Sequence, residues 1–495
     1  MFLGIDCGTQ STKAVLFDEN GNAHGTGHAA HELVEKENGA REQQASWWID
    51  AMIAAVRSAL AEEATPPEAV QAIGVSGQQH GLVVLDENMQ VIRPAKLWND
   101  TETAPQNEAL LNQLGGPQAW FDQTGIIPLT GYTLSKLLWL KQNEPQNFAR
   151  IRHILLPHDY LNFWLTGQLT AEFGDASGTA FFDTRTRNWA EAPLAAIDGG
   201  TGQLRNALPR LIQPDELAGH LRPEAATALG LTTACVVSAG GGDNMMGAIG
   251  TGNVTEGIAT ISLGTSSTVY SYSSTPVGDP KGQIAAFCSS TGGWLPLVCT
   301  MNSTNVTTDV LRLLGRDVPF LSQAIAATHP GADGITFIPF LNGERTPDLP
   351  TARGSLFGVS SSNLTPENFM RAAVEGVTFG ILAGLDLITQ SRKPEEIVLI
   401  GGGAKSDQWR QLIADATGAT IRIPQTTEAG CLGAAIQAMW AWSKHNGTPE
   451  TITTLTRRCV KLDNTKTASP DPAKHSPYNA AIHRYREHLQ QQYGV

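Results

Sequence analysis

The chain has 495 residues, of which 41% are hydrophobic, and its formal net charge is −13. This length exceeds what one hydrophobic core usually supports, so two domains are expected. The negative charge disfavours a nucleic acid or an anionic membrane surface as the partner, and no run of about 18 apolar residues predicts a membrane-spanning helix. The six cysteines form no C-x-x-C pair, which disfavours a disulfide framework or a zinc site. The opening stretch does not resemble a secretory signal, so a cytoplasmic location is expected.

The N-terminal segment predicts two strands around a glycine turn. Residues 2–6 are apolar and β-prone, the turn reads CGTQST, and residues 13–21 form a second strand that closes on an Asn-Gly turn. Ser46 is the expected N-cap of the amphipathic helix that follows. Residues 71–92 then repeat the order of strand, glycine turn and strand.

The middle of the chain adds helices and a second hairpin. An apolar spacing near 3.6 predicts helices over 131–143 and 157–166. Residues 234–240 form an expected buried strand. The sequence GTQST at 8–12 recurs as GTSST at 264–268, again between two strand-like segments. This similarity predicts an internal duplication, unless Gly-Thr-x-Ser turns recur by chance.

The C-terminal half continues the alternation of strands and helices. Thr365, followed by proline, is the expected N-cap of one helix, and Ser406 is the expected N-cap of another that stops near Gly418. Strands that alternate with helices indicate an α/β architecture. We place the domain boundary near residue 245, which gives domains of residues 1–245 and 246–495.

The usual nucleotide-binding motifs are absent. There is no G-x-x-x-x-G-K-[ST], no G-x-G-x-x-G after the first strand and no H-R-D or D-F-G set. Three glycine turns remain that suit phosphate, because backbone N–H groups converge there. They are Asp6 with Gly8, Thr9, Ser11, Thr12 and Lys13; Gly264 with Thr265 and Ser266; and Gly401, Gly402 and Gly403 with Ala404. In this order they match the actin-like (ribonuclease H-like) ATPase fold, which predicts two such domains with a catalytic cleft between them.

Two longer motifs identify a family. GYTLSKLLWLKQN (131–143) and GSLFGVSSSNLTPENFMRAAVE (354–375) resemble the two signatures of the FGGY carbohydrate kinases, and the resemblance extends from Asp6 to about Ala435. Within that family, further stretches are similar to those of the xylulokinase subgroup. These are GQQHG (77–81), LWND (97–100), LLPHDYLNFWLTG (155–167), GDASGT (174–179), GGGDN (240–244) and FIPFLNGERTP (337–347).

The resemblance implies roles for two acids. Asp243 is implied to be the general base, which takes the proton of a sugar hydroxyl as its oxygen attacks the γ-phosphoryl of ATP. A helix start after the GGG run is expected to keep Asp243 ionised at neutral pH; the alternative is that it only caps that helix. Asp6 is implied to hold Mg²⁺ through water, with Asp243 beside the same ion, and the alternative is that Asp6 caps the turn.

The resemblance also implies the two binding sets. The sugar pocket comprises Gln79, His80, Trp98, Asn99, Asp100 and Asn244. The nucleotide site comprises Thr12, Lys13, Gly264, Thr265, Gly402, Gly403, Ala404 and Asp407. Three plainer alternatives stand beside these roles: His80 as an ordinary loop histidine, Trp98 as a core residue and Lys13 as a solvated lysine. Glu344 to Pro347 have no implied catalytic role and are expected to fix a loop or the domain arrangement.

The implied activity is the ATP-dependent and Mg²⁺-dependent phosphorylation of D-xylulose to D-xylulose 5-phosphate. Gln79 stands where many members of the subgroup have methionine, so another ketose, a polyol or a sugar acid stays open as the substrate. An actin-like ATPase switch is the alternative from a different functional class. The expected partners are the sugar and ATP, and homodimers occur among relatives.

Overall fold

The computed structural model describes residues 1–495. The strands are β1 (Phe2–Cys7), β2 (Ser11–Phe17), β3 (Ala23–Ala30), β4 (Val34–Glu35), β5 (Arg41–Gln43), β6 (Ala72–Gly77), β7 (Val83–Leu85), β8 (Ala95–Lys96), β9 (His153–Leu155), β10 (Thr170–Glu172), β11 (Phe182–Asp183), β12 (Asn188–Trp189), β13 (Arg210–Ile212), β14 (Leu217–His220), β15 (Val236–Ser238), β16 (Gly241–Gly242), β17 (Ile258–Leu263), β18 (Ser267–Ser271), β19 (Ala285–Cys288), β20 (Trp294–Thr300), β21 (Thr336–Ile338), β22 (Ser355–Phe357), β23 (Glu396–Ile400) and β24 (Thr420–Arg422). The α-helices are α1 (Ala45–Glu62), α2 (Ala104–Gln113), α3 (Pro117–Thr124), α4 (Thr133–Asn143), α5 (Pro145–Arg150), α6 (Pro157–Thr166), α7 (Phe173–Ala176), α8 (Glu191–Asp198), α9 (Gln203–Asn206), α10 (Pro223–Leu229), α11 (Asp243–Gly250), α12 (Thr304–Leu313), α13 (Val318–Ala327), α14 (Pro366–Ile388), α15 (Asp407–Thr417), α16 (Ala429–His445), α17 (Ile452–Cys459) and α18 (Pro472–Tyr493).

The chain forms two compact units, and neither is continuous in sequence. The first unit comprises residues 1–255, 273–296 and 428–460, and the second comprises residues 256–272, 297–427 and 461–495. Helix α16 therefore belongs to the first unit although it lies near the C-terminus. The domain boundary near residue 245 stays a prediction, as does the assignment of sugar binding to residues 1–245 and of nucleotide binding to residues 246–495.

The sheet of the first unit has the order β14-β15-β6-β1-β2-β3. Alternate residues of β1 face opposite sides: Leu3 and Ile5 pack in the same apolar cluster as Trp48 of α1, whereas Gly4 lies against α16. A Cβ built on Gly4 would lie 1.9 Å from the carbonyl oxygen of Cys431. Glycine at this position therefore lets α16 approach the sheet closely, and the same face of β1 carries Asp6.

The sheet of the second unit repeats this topology in the order β20-β18-β17-β23-β24. Strand β17 is antiparallel to β18 and parallel to β23, which is parallel to β24. In the first unit, β1 is likewise antiparallel to β2 and parallel to β6, which is parallel to β15. The repeated order of parallel and antiparallel pairs supports the predicted internal duplication and is the mixed α/β arrangement expected for the fold.

Local capping signals separate correct from incorrect predictions. The side chains of Thr365 and Ser406 accept hydrogen bonds from backbone N–H groups three residues on, and Gly418 ends α15 with φ 76°; these predictions are confirmed. The prediction for Ser46 is wrong, because α1 begins at Ala45, one residue before Ser46 itself. Its N-cap is Gln44, which makes no side-chain capping hydrogen bond. The helix entry is held instead by buried Gln43, whose Oε1 accepts a bond from the Trp48 indole at 2.9 Å.

No disulfide bond joins the six cysteines, five of which are buried. Among the helices of the chain, none combines the length and the apolar character needed to cross a membrane.

Candidate active site

Asp6 lies near the end of β1, between Lys13 on β2 and Ser76 on β6. The Ser76 hydroxyl donates a hydrogen bond to Asp6 Oδ1 at 2.7 Å. A Cβ built on Gly430, in the first turn of α16, would lie 2.8 Å from Asp6 Oδ2, so a helix N-terminus adjoins the carboxylate. The reading of Asp6 as a turn cap is not supported, because the N–H of Gly8 donates to the carbonyl of Ser11 instead.

Several groups act on the charge of Asp6. Burial raises the pKa of this carboxyl group, the Ser76 hydroxyl and Lys13 oppose the increase, and Glu428 adds to it. The positive end of α16 favours an anion at the same place. Asp6 is thus a partly exposed carboxyl group, and a nearby cation would stabilise its ionised form.

Asp243 is brought to the same part of the sheet by β16. Gly241 and Gly242 of this short strand pair in parallel with Ser76 and Gly77 of β6. Asp243 is the first residue of α11, and Gly242 is the N-cap. Asp243 Oδ1 accepts bonds from the backbone N–H of Asn244 at 2.8 Å and from its side-chain amide at 3.0 Å. A capping side chain bonds two or three residues further along, so the reading of Asp243 as a mere N-cap is not supported.

The helix start does not dominate the titration of Asp243. Burial raises the pKa of Asp243 to about 7, the charges of Asp6 and Asp175 add to this increase, and the bonds from Asn244 oppose it. Burial and the like charges of Asp6 and Asp175 therefore oppose the expected effect of the helix start, which was to keep Asp243 ionised at neutral pH. A pKa near the working pH is the value that suits a general base.

Gln79 and Asn244 form a hydrogen-bonded pair of side chains next to Asp243. The Asn244 amide donates to Gln79 Oε1 at 3.0 Å as well as to Asp243. A Cβ built on Gly242 would lie 2.7 Å from the Gln79 side chain, so this glycine is required for the close approach. The structure thus brings Gln79 together with Asp243 and Asn244, which lie 164 and 165 positions further along the chain and which the sequence assigned to the same site.

His80 lies in the turn after β6, and its ring packs against two aromatic side chains. Its ring centroid lies 4.6 Å from that of Tyr132 and 5.7 Å from that of Phe287. Its backbone has φ 65°, a left-handed conformation that most side chains avoid. The carbonyl of His80 accepts a hydrogen bond from Lys136 Nζ at 2.7 Å, which holds this turn in place.

The segment from Trp98 to Asp100 divides into an exposed ring and a buried acid. Trp98 is 46% exposed, so the alternative that it is a core residue is wrong. Its indole N–H donates to Thr9 Oγ1 at 2.9 Å. Asp100 is fully buried, and its Oδ2 accepts bonds from Lys96 Nζ and from the backbone N–H of Arg41, each at 3.0 Å. Its contact with sugar stays a prediction, as does that of half-buried Asn99.

The phosphate-binding candidates of the first unit lie on β2. Thr12 is buried, and Lys13 Nζ contacts Glu428 Oε2 at 2.7 Å. Lys13 is therefore not a freely solvated lysine, because Glu428, the residue before α16, pairs with it.

The second unit holds the remaining nucleotide candidates in two adjoining turns. A Cβ built on Gly401 would lie 2.7 Å from the carbonyl oxygen of Leu263, which precedes Gly264. Thr265 and Gly402 are exposed, as is Asp407 at the start of α15, whereas Gly403 and Ala404 are buried. The strand–turn hairpin and the glycine turn thus present backbone on one edge of this unit. Glu344 fixes a loop of the same unit, since its carboxylate accepts bonds from the backbone of Met301 and the amide of Asn302.

Sequence reasoning missed buried charged residues beside the site. Lys136 is fully buried, it donates to three backbone carbonyls, and burial lowers its pKa to about 7. His158 Nδ1 lies 2.5 Å from Asp175 Oδ2; although burial lowers its pKa, the charges of Asp159, Asp175 and Glu172 raise it to about 9. A lysine on the buried face of a helix was the available signal for Lys136. Ser76, which binds Asp6, carried no signal.

Comparison with known proteins extends over the whole chain. Residues 1–250 match the N-terminal domain, and residues 259–442 the C-terminal domain, of the FGGY family of carbohydrate kinases. The chain is 48% identical to a xylulose kinase of Haemophilus influenzae, with 100% of both chains covered.

Two solved structures are also similar. A Brucella ovis protein described as a xyloylose kinase has a TM-score of 0.90 at 31% identity, with 100% of this chain and 99% of the other covered. A xylulose kinase of Bifidobacterium adolescentis has a TM-score of 0.85 at 32% identity, with 98% and 99% covered.

Proposed function

Because the chain belongs to the FGGY family of carbohydrate kinases, we propose that it transfers the γ-phosphoryl group of ATP to D-xylulose, giving D-xylulose 5-phosphate and ADP. The observation that carries the choice of sugar is the 48% identity, over the full length of both chains, to a protein named xylulose kinase. The kinase activity belongs to the family, and the identity of the ketose is the part that requires a test.

Asp243 is the proposed general base. It accepts the proton of the sugar hydroxyl while the hydroxyl oxygen bonds to the γ-phosphorus and the bond from that phosphorus to the ADP oxygen breaks. The raised pKa of about 7 supports this role, because a carboxylate with a pKa near the working pH accepts the proton and releases it again after the reaction. Asn244, which bonds both Asp243 and Gln79, orients the base relative to the sugar.

The remaining sugar contacts follow from the chemistry of the side chains. Gln79 has a buried amide, whose donor and acceptor groups suit sugar hydroxyls. The exposed face of Trp98 suits the C–H face of a sugar. His80, Asn99 and Asp100 complete the proposed pocket.

The donor set of the first unit fits Mg²⁺. No group of three or more histidine, cysteine or acidic side chains is arranged to hold a metal ion, whereas Mg²⁺ in nucleotide enzymes takes only one or two carboxylates with water and phosphate oxygens. Asp6 is the proposed carboxylate that holds the ion through water, with Asp243 beside it. The bound ion would neutralise developing charge on the phosphoryl group.

ATP is proposed to bind through backbone and side chains of two hairpins and a glycine turn. Lys13 would leave Glu428 to meet a phosphate, and Thr12 lies beside it on β2. The other contributors in this proposal are Gly264, Thr265, Gly402, Gly403, Ala404 and Asp407.

The test is ADP release in the presence of Mg²⁺ with D-xylulose, L-xylulose, D-ribulose, L-ribulose, glycerol and gluconate, each compared with no sugar. Stimulation by D-xylulose above all others is expected. Stimulation by another of these compounds would keep the kinase mechanism and reassign the specificity to Gln79 and the 98–100 segment. ADP release that no sugar increases would contradict the proposal and favour an ATPase switch.

A further inference from the structure

A chain of hydrogen bonds connects the exposed Trp98 to the first phosphate hairpin. The Trp98 indole N–H donates to Thr9 Oγ1 at 2.9 Å, and the same Thr9 hydroxyl donates to Gln78 Oε1 at 3.2 Å. Thr9 belongs to the turn between β1 and β2. Its hydroxyl therefore accepts a bond from Trp98, which is proposed to contact the sugar, and donates a bond to Gln78, the neighbour of Gln79.

Two buried glutamines anchor the far end of this chain. Gln78 Nε2 donates to Gln43 Oε1 at 2.9 Å, and that oxygen also accepts the Trp48 indole N–H. Gln43 Nε2 in turn donates to the backbone carbonyl of Thr9 at 2.8 Å. Gln43 is fully buried and Gln78 is 1% exposed, so both amides have fixed partners. Both of them bond Thr9 and thereby stabilise the turn.

This series of hydrogen bonds runs from an exposed side chain to buried ones. Trp98 is the exposed end, and the bond to Thr9 is the hydrogen bond that its indole N–H makes. If a sugar packs on this ring, as proposed, the hydrogen bond to Thr9 is the direct link between the sugar contact and the turn. Thr9 lies in the turn that leads into β2, and Thr12 and Lys13 of that strand are the proposed phosphate ligands.

We propose that Thr9 is a positioning residue that couples sugar binding at Trp98 to the phosphate hairpin, so that a bound ketose increases the affinity for ATP. This inference rests on the proposed function. Binding affinities are coupled reciprocally, so ATP is also expected to tighten the sugar. The size of the effect is that of one hydrogen bond, which corresponds to about 2- to 10-fold in affinity.

The test is a double-mutant cycle with Thr9→Val, which keeps the shape and removes the hydroxyl, and Trp98→Phe, which keeps a ring and removes the N–H. The measured quantity is the coupling ratio, defined as the KM for ATP at low D-xylulose divided by that at saturating D-xylulose. The native protein is expected to have a ratio of about 2 to 10, and Thr9→Val, Trp98→Phe and the double variant are each expected to fall to about 1. Thr9→Ser, which retains the hydroxyl, is expected to keep the native ratio.

Three results would overturn the inference: a native ratio of 1, an unchanged ratio in Thr9→Val, or single effects that multiply in the double variant. Multiplying effects would mean that the two side chains act independently. Thermal unfolding of each variant separates loss of coupling from loss of fold. If native protein shows no stimulation by any sugar, the proposed function fails; if native protein is stimulated and the cycle gives one of the three results, only the coupling fails.

Discussion

The two hairpins with Gly-Thr turns lie in sheets of the same topology but carry different side chains. In the first, Asp6 stands two positions before Gly8, and in the second, Ser262 stands two positions before Gly264. The first turn is also one residue longer, because Cys7 pairs with Thr12 whereas Leu263 pairs with Ser267. The duplicated sheet thus provides two similar backbone turns, and only one of them carries an acid beside a second acid.

This difference indicates how the chemistry is divided. Backbone N–H groups of a glycine turn can bind phosphate, so the role proposed for the second hairpin needs no ionisable side chain. The proposed proton transfer and metal binding are assigned to the carboxylates of Asp243 and Asp6, and these lie in the first unit with buried charges around them. Each prediction below therefore compares a residue of the first unit with its counterpart in the second.

The largest expected effect concerns the acids that begin α11 and α15. Asp243→Asn removes the proposed base and is expected to lower kcat for the sugar-dependent reaction about 10²- to 10⁴-fold. Asp407→Asn, at the first position of α15, is expected to change the KM for ATP and leave kcat within about 2-fold. Steady-state ADP release measures both, and equal losses of kcat in the two variants would contradict the assignment.

The second prediction compares two buried ion pairs. His158→Gln is expected to destabilise the protein by about 3–5 kcal/mol, because Asp175 loses its buried partner. Because the pKa of His158 is raised to about 9 in the folded state, its contribution is complete below the unfolded value of about 6.5 and is lost as pH rises through about 9. The stability deficit of His158→Gln should therefore shrink between pH 6.5 and about 9.5.

The matched pair in the second unit is Arg371 with Glu375, whose side chains lie 2.9 Å apart. A guanidinium group stays protonated at every pH in this range. The deficit of Arg371→Met should consequently not shrink between about pH 7.5 and 9.5, as chemical denaturation at each pH would measure. A deficit of His158→Gln that is equally constant would mean that His158 is not held as an imidazolium.

A smaller effect is expected where the hairpins differ. Asp6→Asn should raise the Mg²⁺ concentration for half-maximal activity about 10- to 100-fold, since the ion loses the carboxylate that orients its water. Ser262→Ala, at the corresponding position of the second hairpin, should shift it less than about 2-fold. A Mg²⁺ titration that cannot distinguish Asp6→Asn from native protein would exclude Asp6 from the metal site.

The smallest expected effect compares two helix starts. Thr365→Ala removes a side-chain cap and should lower stability by about 1 kcal/mol. Ser46→Ala should be nearly neutral, because Ser46 lies inside α1 and caps nothing. Urea unfolding followed by circular dichroism measures both, and similar losses would show that Ser46 has a capping role in solution.

Local signals in the sequence predicted much of this arrangement. The N-caps at Thr365 and Ser406, the helix end at Gly418 and the similarity of the two hairpins depend on residues close together in the chain, so patterns of a few residues reveal them. The first failure was local too: Ser46 looked like a cap, but a buried glutamine one residue before the N-cap determined where α1 begins.

The unpredicted features depend on residues that are distant in sequence. Lys13 pairs with Glu428, 415 positions away, and Asp6 binds Ser76, 70 positions away. The pKa of Asp243 follows from burial and from the charges of Asp6 and Asp175, none of which the GGGDN stretch contains. Such effects depend on tertiary packing, so spacing along the chain does not reveal them.

The most direct test of the central claim is to identify the phosphorylated product. Native protein and Asp243→Asn are incubated with ATP, Mg²⁺ and D-xylulose, and ADP and sugar phosphate are quantified together by ³¹P NMR. Native protein is expected to form one D-xylulose 5-phosphate for each ADP, and the variant is expected to react about 10²- to 10⁴-fold more slowly. ADP formed without sugar phosphate, or equal rates of sugar phosphorylation by both proteins, would contradict it.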